Sequence, residues 1–237
     1  MVYAKRANSR KRNSRFRSRR SFKSRGRSLR RSTYKAVKRV AYRVLQKNTE
    51  MRFNDLSEQT YQAVSWNGVA LDFMQNIVPG DLVESKRQGA KVSCKGLGVR
   101  LNLVGNTASN HPMVSYRVII VRWHNENGIP PGIGNLLAGG GPNRFMSPYL
   151  FIPNKNWTII DDTFVKVGGY STASAPVGQP NQYLYNKFFK LKHVCTWNAD
   201  NLVIDGGVYG FIISDEDPAY TYKSVAKWEC RLYYKDD

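Results

Sequence analysis

Strict alternation of apolar and polar residues after Glu50 is the feature that most constrains the fold of this 237-residue chain. In residues 97–103, Leu or Val occupies every second position, and Gly98, Arg100 and Asn102 stand between them. Such a period of two is typical of antiparallel strands that bury one face and expose the other. The same pattern occurs in residues 113–123, 188–197 and 225–234. The chain after Glu50 is therefore expected to be a β-sheet domain.

Eight strands are predicted, separated by turn-rich pieces. They span residues 59–66, 69–77, 97–103, 113–123, 157–167, 188–197, 207–213 and 225–234. No alternation of strands with helices is visible, which argues against a parallel sheet. The pattern predicts an all-β fold, an eight-stranded antiparallel jelly-roll sandwich over residues 49–237. Two long connections, residues 124–156 and 168–186, are expected to present contact surface.

The N-terminal stretch carries nearly all of the net charge. The chain has 37 Lys and Arg and 17 Asp and Glu, and residues 1–47 hold 19 of the former and none of the latter. That leaves 18 basic and 17 acidic residues for the remainder, which is close to neutral. Within this stretch, residues 1–32 alternate arginine with serine and have few apolar groups. We expect them to form a disordered arm that binds a polyanion.

Arginine offers forked donors that match phosphate oxygens, and nothing in the arm is typical of a base-specific reader. The residues predicted to bind nucleic acid are Arg10, Lys11, Arg12, Arg15, Arg17, Arg19, Arg20, Lys23, Arg25, Arg27, Arg30 and Arg31. The basic runs also match a nuclear import signal, formed by Lys5, Arg6, Arg10, Lys11, Arg12, Arg19 and Arg20. A solubilising tail and an organelle transit peptide are the alternatives left open by the composition.

Residues 33–48 are predicted to be a short basic amphipathic helix and linker. Its apolar stripe comprises Tyr34, Val37, Ala41, Val44 and Leu45, with Lys and Arg over much of the remaining surface. The helix could face nucleic acid, lie on a membrane surface or dock its stripe on the domain that follows. Its position next to the arm favours contact with nucleic acid together with docking.

No catalytic motif is found, so the chain is predicted not to be an enzyme. None of the three histidines, His111, His124 and His193, lies in a nucleophile or zinc-protease motif, and His193 is expected to be a satisfied core residue. The glycine run at 139–141 lacks the Lys-Ser or Lys-Thr of a phosphate loop. No cofactor and no metal ligand is predicted, although a cation between chains at Asp161-Asp162, Asp215-Glu216-Asp217 or Asp236-Asp237 stays open.

The cysteines and the hydropathy of the sequence indicate the cellular compartment in which the chain folds. Cys94, Cys195 and Cys230 are odd in number and lack metal-ligand spacing, so they are expected to be reduced and mostly buried. Reduced cysteines favour a reducing compartment during folding. No apolar run approaches the roughly 20 residues of a membrane span, and the basic N-terminus lacks the apolar region of a secretory signal.

Four segments, in this order and behind an arginine-rich arm, carry a resemblance to a known family. They are FMQNIVPGDLVESKRQGAKVSCKGLGVRLNLVGN (73–106), with Arg87 and Gly89 before an alternating strand, YRVIIVRWHNENG (116–128), NWTIIDDTFVKV (156–167) and WECRLYYKDD (228–237). Together they resemble the capsid proteins of circular single-stranded DNA viruses that encode a replication initiator, the circovirus-like group. The coats of small satellite plant viruses look similar too.

The resemblance implies a structural protein of the virion, with the jelly roll tiling a small icosahedral shell and the arm inside on the genome. It implies a homo-oligomer of about sixty copies, a single-stranded genome as partner, and localisation to the virion and to the host nucleus during assembly. Nuclear import receptors and a cell-surface receptor are further expected partners. The alternatives are a cellular protein with an Arg/Ser tail that binds nucleic acid, the coat of a small RNA or satellite virus, and a lectin-like or cupin-like enzyme.

Overall fold

The computed structural model describes residues 33–41, 44, 51–80, 86–105, 113–124, 131–150, 156–168, 181–220 and 223–236. The chain divides into two units, Met1–Glu50 and Met51–Asp237. The predicted arm, residues 1–32, lies outside the described residues, and so does most of the predicted linker after residue 44.

In the first unit, residues 33–41 form a helix (α1), and residue 44 is helical as well. This confirms the helix predicted from the spacing of apolar residues. Its stripe is exposed: Tyr34 shows 70%, Val37 60% and Val44 51% of its surface to solvent. The opposite side of α1 carries lysine and arginine, so the described helix is amphipathic as well as basic.

The second unit is a sandwich of two antiparallel sheets. Its strands are β1 Arg52–Ala63, β2 Val69–Asp72, β3 Lys91–Val104, β4 Met113–Trp123, β5 Trp157–Gly168, β6 Gln182–Trp197, β7 Val203–Asp205, β8 Val208–Ser214 and β9 Val225–Asp236. The five-stranded sheet has the order β1-β9-β3-β6-β7, and the four-stranded sheet has the order β2-β8-β4-β5. With the three-residue β7 set aside, eight strands remain in two four-stranded sets.

The path of the chain between the sheets makes this sandwich a jelly roll. The chain moves from one sheet to the other after β1, β2 and β3, stays in the four-stranded sheet for β4 and β5, and then alternates again through β6, β8 and β9. Apart from β4 and β5, consecutive long strands therefore lie in opposite sheets, and β1 pairs with the last strand, β9. The fold class predicted from the alternation pattern is confirmed.

The eight predicted strands are all present, and their errors lie at the ends. Strand β1 begins at Arg52, whereas the sequence predicted a start at residue 59. The first residues were missed because the polar Asn54 interrupts the apolar alternation, although its side chain is buried. The Asn54 amide donates to the carbonyls of Phe73 and Gln75, at 3.0 and 2.8 Å. These bonds hold residues 73–76 in a turn, so β2 ends at Asp72 instead of residue 77. Strand β7 was not predicted, because three residues are too few to show a period.

The core lies between the sheets and is built from the predicted inward faces. Leu97, Val99, Leu101 and Leu103 of β3 are at most 1% exposed, while Arg100 between them is exposed. The inward set of β9, which includes Trp228 and Leu232, is buried in the same way. The three cysteines are buried and form no disulfide bond, as predicted. Burial raises the pKa of the Cys230 thiol to about 12, so this group is a poor nucleophile.

The outer face of the four-stranded sheet is covered by part of the long β4–β5 connection. Residues 131–150 contain two short 3₁₀ helices, Ile133–Asn135 and Gly141–Arg144, and their Leu136, Leu137 and Phe145 are buried. Strand β8 beneath is buried at all seven positions. This part of the connection therefore serves the core, whereas the sequence predicted a contact loop. A partner-facing role is left to its remaining residues, 125–130 and 151–155, which lie outside the described part of the chain.

The five-stranded sheet differs, because its strands alternate between buried and exposed residues on β6 and β9. Strand β6 pairs with β3 over almost its whole length, from Gln182 to Thr196. On its other side it pairs with β7 at Thr196 and Trp197 alone, among the described residues. Strands β4 and β8 of the four-stranded sheet are thus buried on both faces along most of their length, whereas the five-stranded sheet has an open outer face and a long edge that is sparsely paired among the described residues.

Candidate nucleic-acid interface

The predicted phosphate-binding residues of the arm, from Arg10 to Arg31, lie outside the described residues. The same holds for the predicted import signal, which begins at Lys5. Their roles stay predictions from charge and composition.

The outer side of the five-stranded sheet is the most distinctive described surface, and we name it the open face. Outward side chains alternate with core residues along β1, β9, β3 and β6, and the strand register brings them together in rows. The rows are formed by Phe53, Tyr233, Gly96 and Lys190; by Asp55, Arg231, Gly98 and Phe188; by Ser57, Glu229, Arg100 and Asn186; and by Lys227, Asn102 and Leu184. Tyr61 joins the last row, because its hydroxyl accepts a bond of 3.0 Å from Asn102.

Two glycines make a depression in the open face, and Phe188 lies over it. A Cβ atom at Gly96 would come within 2.5 Å of the Phe188 ring, so the ring occupies the space that a side chain would fill. The ring centroids of Phe188 and Tyr233 are 6.0 Å apart. Phe188 is nevertheless 65% exposed. Around these residues runs a groove of about 290 Å³ that also reaches Arg100 and Arg231.

Cations accompany the aromatic rings of the open face. The Arg231 guanidinium carbon is 4.3 Å from the centre of the Phe53 ring, and Lys227 Nζ is 5.0 Å from that of Tyr61. Arg231 binds both Asp55 oxygens, at 2.6 and 2.7 Å, and this hydrogen bonding raises the pKa of Arg231. Arg100 lies 3.8 Å from Glu229. The two carboxylates of the open face are thus matched by arginines, and its lysines remain as excess positive charge.

The acidic pair of β5, Asp161 and Asp162, is a candidate cation site in the sequence. In the structure each of the two carboxylates has a protein partner. Asp161 accepts from Lys187 at 2.9 Å and from the Tyr185 hydroxyl at 2.6 Å. Burial alone would raise the pKa of Asp161, but these hydrogen bonds outweigh it and the pKa is lowered. Asp162 accepts from the Tyr149 hydroxyl and from two nitrogens of Arg117, at 2.9 and 2.8 Å. Among the described residues, no group of three acidic, His or Cys side chains is placed to hold a metal ion.

Arg117 fastens the 131–150 segment to the four-stranded sheet. It is only 4% exposed, and besides Asp162 it donates to the carbonyls of Phe145 and Ser147 at 3.1 and 2.8 Å. Burial acts to lower the pKa of Arg117, but the bonds to Asp162 prevail and raise it. The guanidinium carbon lies 4.9 Å from the Phe164 ring centre. A single buried cation therefore joins β4, β5 and the long connection.

Arg87, which takes part in the family resemblance, has a comparable structural role. It is 4% exposed, stacks 4.9 Å from the centre of the Trp197 ring, and donates to Asn201 Oδ1 at 2.7 Å. A further bond goes to the Gly89 carbonyl. Burial lowers the pKa of this guanidinium. Its partners lie within the described domain, so Arg87 stabilises the domain rather than presenting a charge to a ligand.

The two described histidines lie near the β7 end of the sandwich, and His111 lies outside the described residues. His124 Nδ1 is 3.5 Å from Asp205, and its Nε2 is 3.3 Å from the Thr158 hydroxyl. His193 is half-buried, and its Nε2 has no hydrogen-bond partner among the described residues. The expectation that His193 is fully satisfied is therefore wrong for this nitrogen, because the strand pattern reports burial and not partners.

His193 should make the domain sensitive to acid. Burial and the neighbouring Arg122 lower its pKa from 6.5 to about 4. Between these two values the unfolded chain takes up a proton that the folded chain does not, so stability falls as pH decreases through this window and levels off below it. At pH 4.5 this group should cost about 2 kcal/mol of unfolding free energy relative to pH 7.

His193→Gln is the variant that tests this acid sensitivity. Urea unfolding at pH 7 and pH 4.5 should show a smaller difference for the variant, by about 2 kcal/mol. The carboxylates titrate in the same way in both proteins, so their contribution to the change in unfolding free energy cancels when the two proteins are compared. Parallel pH profiles for the two proteins would show that His193 does not hold a low pKa in the folded domain.

Sequence reasoning did not predict the open face. Phe188 and Phe189 are adjacent, so a strand must point one of them outward, and this is the signal that could have revealed Phe188. The contribution of Tyr61 and Tyr233 depends on strand register, which pairs residues more than 160 positions apart and leaves no local trace.

No protein-family model matches the sequence, and no curated protein matches it. Among solved structures, the chain is similar to the crystal structure of the infectious bursal disease virus VP2 subviral particle. The two share 10% sequence identity with a TM-score of 0.25, over 79% of this chain and 38% of that chain. The chain thus spans well under half the length of VP2 in that structure. We draw no function from a match at this level.

Among the described residues, no helix is long and apolar enough to cross a membrane.

Proposed function

We propose that this chain is a viral capsid protein. Its jelly-roll domain assembles into the smallest icosahedral shell, of about sixty copies, and its arm binds a packaged single-stranded genome. The observation that carries the proposal is the separation of charge: 19 basic and no acidic residues lie in the first 47 positions, ahead of a nearly neutral jelly roll. A neutral domain can pack against identical copies without repulsion, while the arm holds a polyanion.

The arm has enough charge for this role. About sixty copies of residues 1–47, the arm together with the basic helix, would bring on the order of 1,100 positive charges, which balances a single strand of kilobase scale. The resemblance to circovirus-like capsid proteins supports circular single-stranded DNA as the genome. It also supports passage through the host nucleus, with Lys5, Arg6 and the later basic runs contacting import receptors, and a role without catalysis. The arm's forked arginines serve equally well on RNA, so the contents have to be determined by digestion.

Assembly is the direct test of this proposal. Purified full-length chain should sediment as megadalton particles that appear hollow and symmetric in electron micrographs. Digestion of the released contents with DNase and RNase in parallel should identify a DNA strand protected within the particle. A monomeric protein that selects particular RNA sequences would contradict the proposal and support the cellular Arg/Ser-tailed alternative. RNA contents in regular particles would instead support the coat of a small RNA or satellite virus.

A further inference from the structure

We propose that the open face of the folded domain is a second nucleic-acid site, which stacks unpaired bases on Phe188 and holds the adjoining phosphates with lysines. The arm explains affinity for phosphate and has no need of this surface. The inference rests on the proposed function for the identity of the strand, but the binding itself follows from the geometry of β3, β6 and β9.

Phe188 has the properties of a stacking platform. One side of its ring lies against the backbone at Gly96, where a methyl group would collide at 2.5 Å, and Tyr233 stands beside it. The ring is thus held in place, yet 65% of the side chain remains exposed. A ring fixed before binding loses little conformational entropy when a base stacks on it. Proteins that bind single strands commonly place aromatic rings in basic grooves in this way.

The charges around the platform fit a polyanion. Lys190 lies on β6 two residues from Phe188, Lys192 lies two residues further along the same strand, and Lys227 lies on β9 in the row of Leu184. None of the three forms an ion pair with a described residue, whereas Asp55 and Glu229 are already paired with arginines. The groove of about 290 Å³ beside the ring approaches the size of small-ligand pockets, which start near 300 Å³.

A second copy of this chain is a less suitable occupant. Symmetric pairing through the open face would bring together two surfaces with the same excess positive charge, and like charges repel across an interface. A sulfated polysaccharide shares the negative charge but has no flat aromatic base. The exposed ring therefore favours single-stranded nucleic acid over a polymer that offers charge alone.

Two oligonucleotides of equal charge distinguish binding at the open face from binding by the arm. Binding of the full-length chain to oligothymidylate is compared with binding to an abasic strand of the same length, so that contacts to phosphate by the arm cancel in the ratio. We expect the wild-type chain to bind oligothymidylate about tenfold more tightly, since stacking contributes roughly five- to one-hundred-fold per base. Phe188→Ala should bring this ratio close to one while leaving affinity for the abasic strand unchanged.

Matched variants keep the result interpretable. Gly96→Ala retains Phe188 but pushes its ring aside, and should reduce the ratio as well. Tyr220→Ala removes an aromatic ring that is 42% exposed outside the open face, and should leave the ratio unchanged. Thermal unfolding of each variant shows that it is folded. Should Gly96→Ala fail to fold, Phe188→Ala decides alone, since its ring is mostly exposed.

Several outcomes would overturn the inference. A folded Phe188→Ala chain that keeps the wild-type ratio would show that Phe188 stacks no base. Equal affinity of the wild-type chain for both strands, or a loss of heparin binding in Phe188→Ala that matches the loss for oligothymidylate, would assign the surface to charge alone. Particle formation is measured separately: a chain that forms no particles but distinguishes the two strands would refute the capsid function and retain this site.

Discussion

Arg117→Ala is expected to lower the free energy of unfolding by about 3–5 kcal/mol, the cost of leaving a buried charge without its partner. Asp162 would lose both bonds from the guanidinium, and the Phe145 and Ser147 carbonyls would lose their donor. Since these carbonyls belong to the 131–150 segment, that segment should also become a site of proteolysis. Denaturant unfolding followed by tryptophan fluorescence measures the first effect, and limited proteolysis the second.

Arg231→Ala is the matched control for this prediction. Arg231 makes the same two-pronged contact with a carboxylate, Asp55, but on the open face, where water replaces the lost partner. The control should leave the unfolding free energy nearly unchanged. Equal losses for the two variants would contradict the view that the buried position of Arg117 makes it important.

Replacing the twelve predicted phosphate-binding residues of the arm with glutamine should weaken binding to single strands by orders of magnitude, leaving the weaker binding by the other basic residues and the open face. Each contact removed should flatten the slope of log affinity against log salt by about 0.7, and several contacts together change affinity by orders of magnitude. The measurement is a salt titration of full-length wild-type and variant chains with several unrelated strands. The same variant should package a shorter strand, because fewer phosphates are balanced.

A variant with the arginines among these twelve positions changed to lysine is the control for charge. It keeps the number of charges and should keep most of the salt dependence, although it loses the forked geometry. A shallow slope for the wild-type chain, or a large preference for one strand sequence, would contradict binding through phosphate. Either result would strengthen the alternative of a cellular RNA-binding protein.

The fold could be predicted well because its strands are long and half-buried. On β3 and β9 one face meets the core and the other meets solvent, so the alternation is visible in the sequence. The prediction was poorest where burial does not follow chemical type. Asn54 is buried because its amide binds two carbonyls, and Phe73, Met74 and Ile77 are apolar because they belong to the core, not because they form a strand.

The candidate sites could be predicted only in part, for a different reason. The charge of the arm is a property of composition and can be read directly from the chain. The open face depends on register, which places Phe188 of β6 beside Gly98 of β3 and Arg231 of β9. The pairing of Asp161 with Lys187 likewise joins residues on different sheets. Neither arrangement has a local signal, because the first is made by the pairing of distant strands within one sheet and the second by contact between the two sheets.

The sparsely paired edge of β6 has a consequence for the solubility of the protein. Beyond Thr196 and Trp197, this 16-residue strand pairs with no described residue on that side, and such an edge can accept a strand from another molecule. Lys187, Lys190 and Lys192 lie along it, and charged residues at an edge discourage identical strands from pairing. Lys190 and Lys192, which suit the open face to a polyanion, thus also protect newly made chains from aggregating through β6.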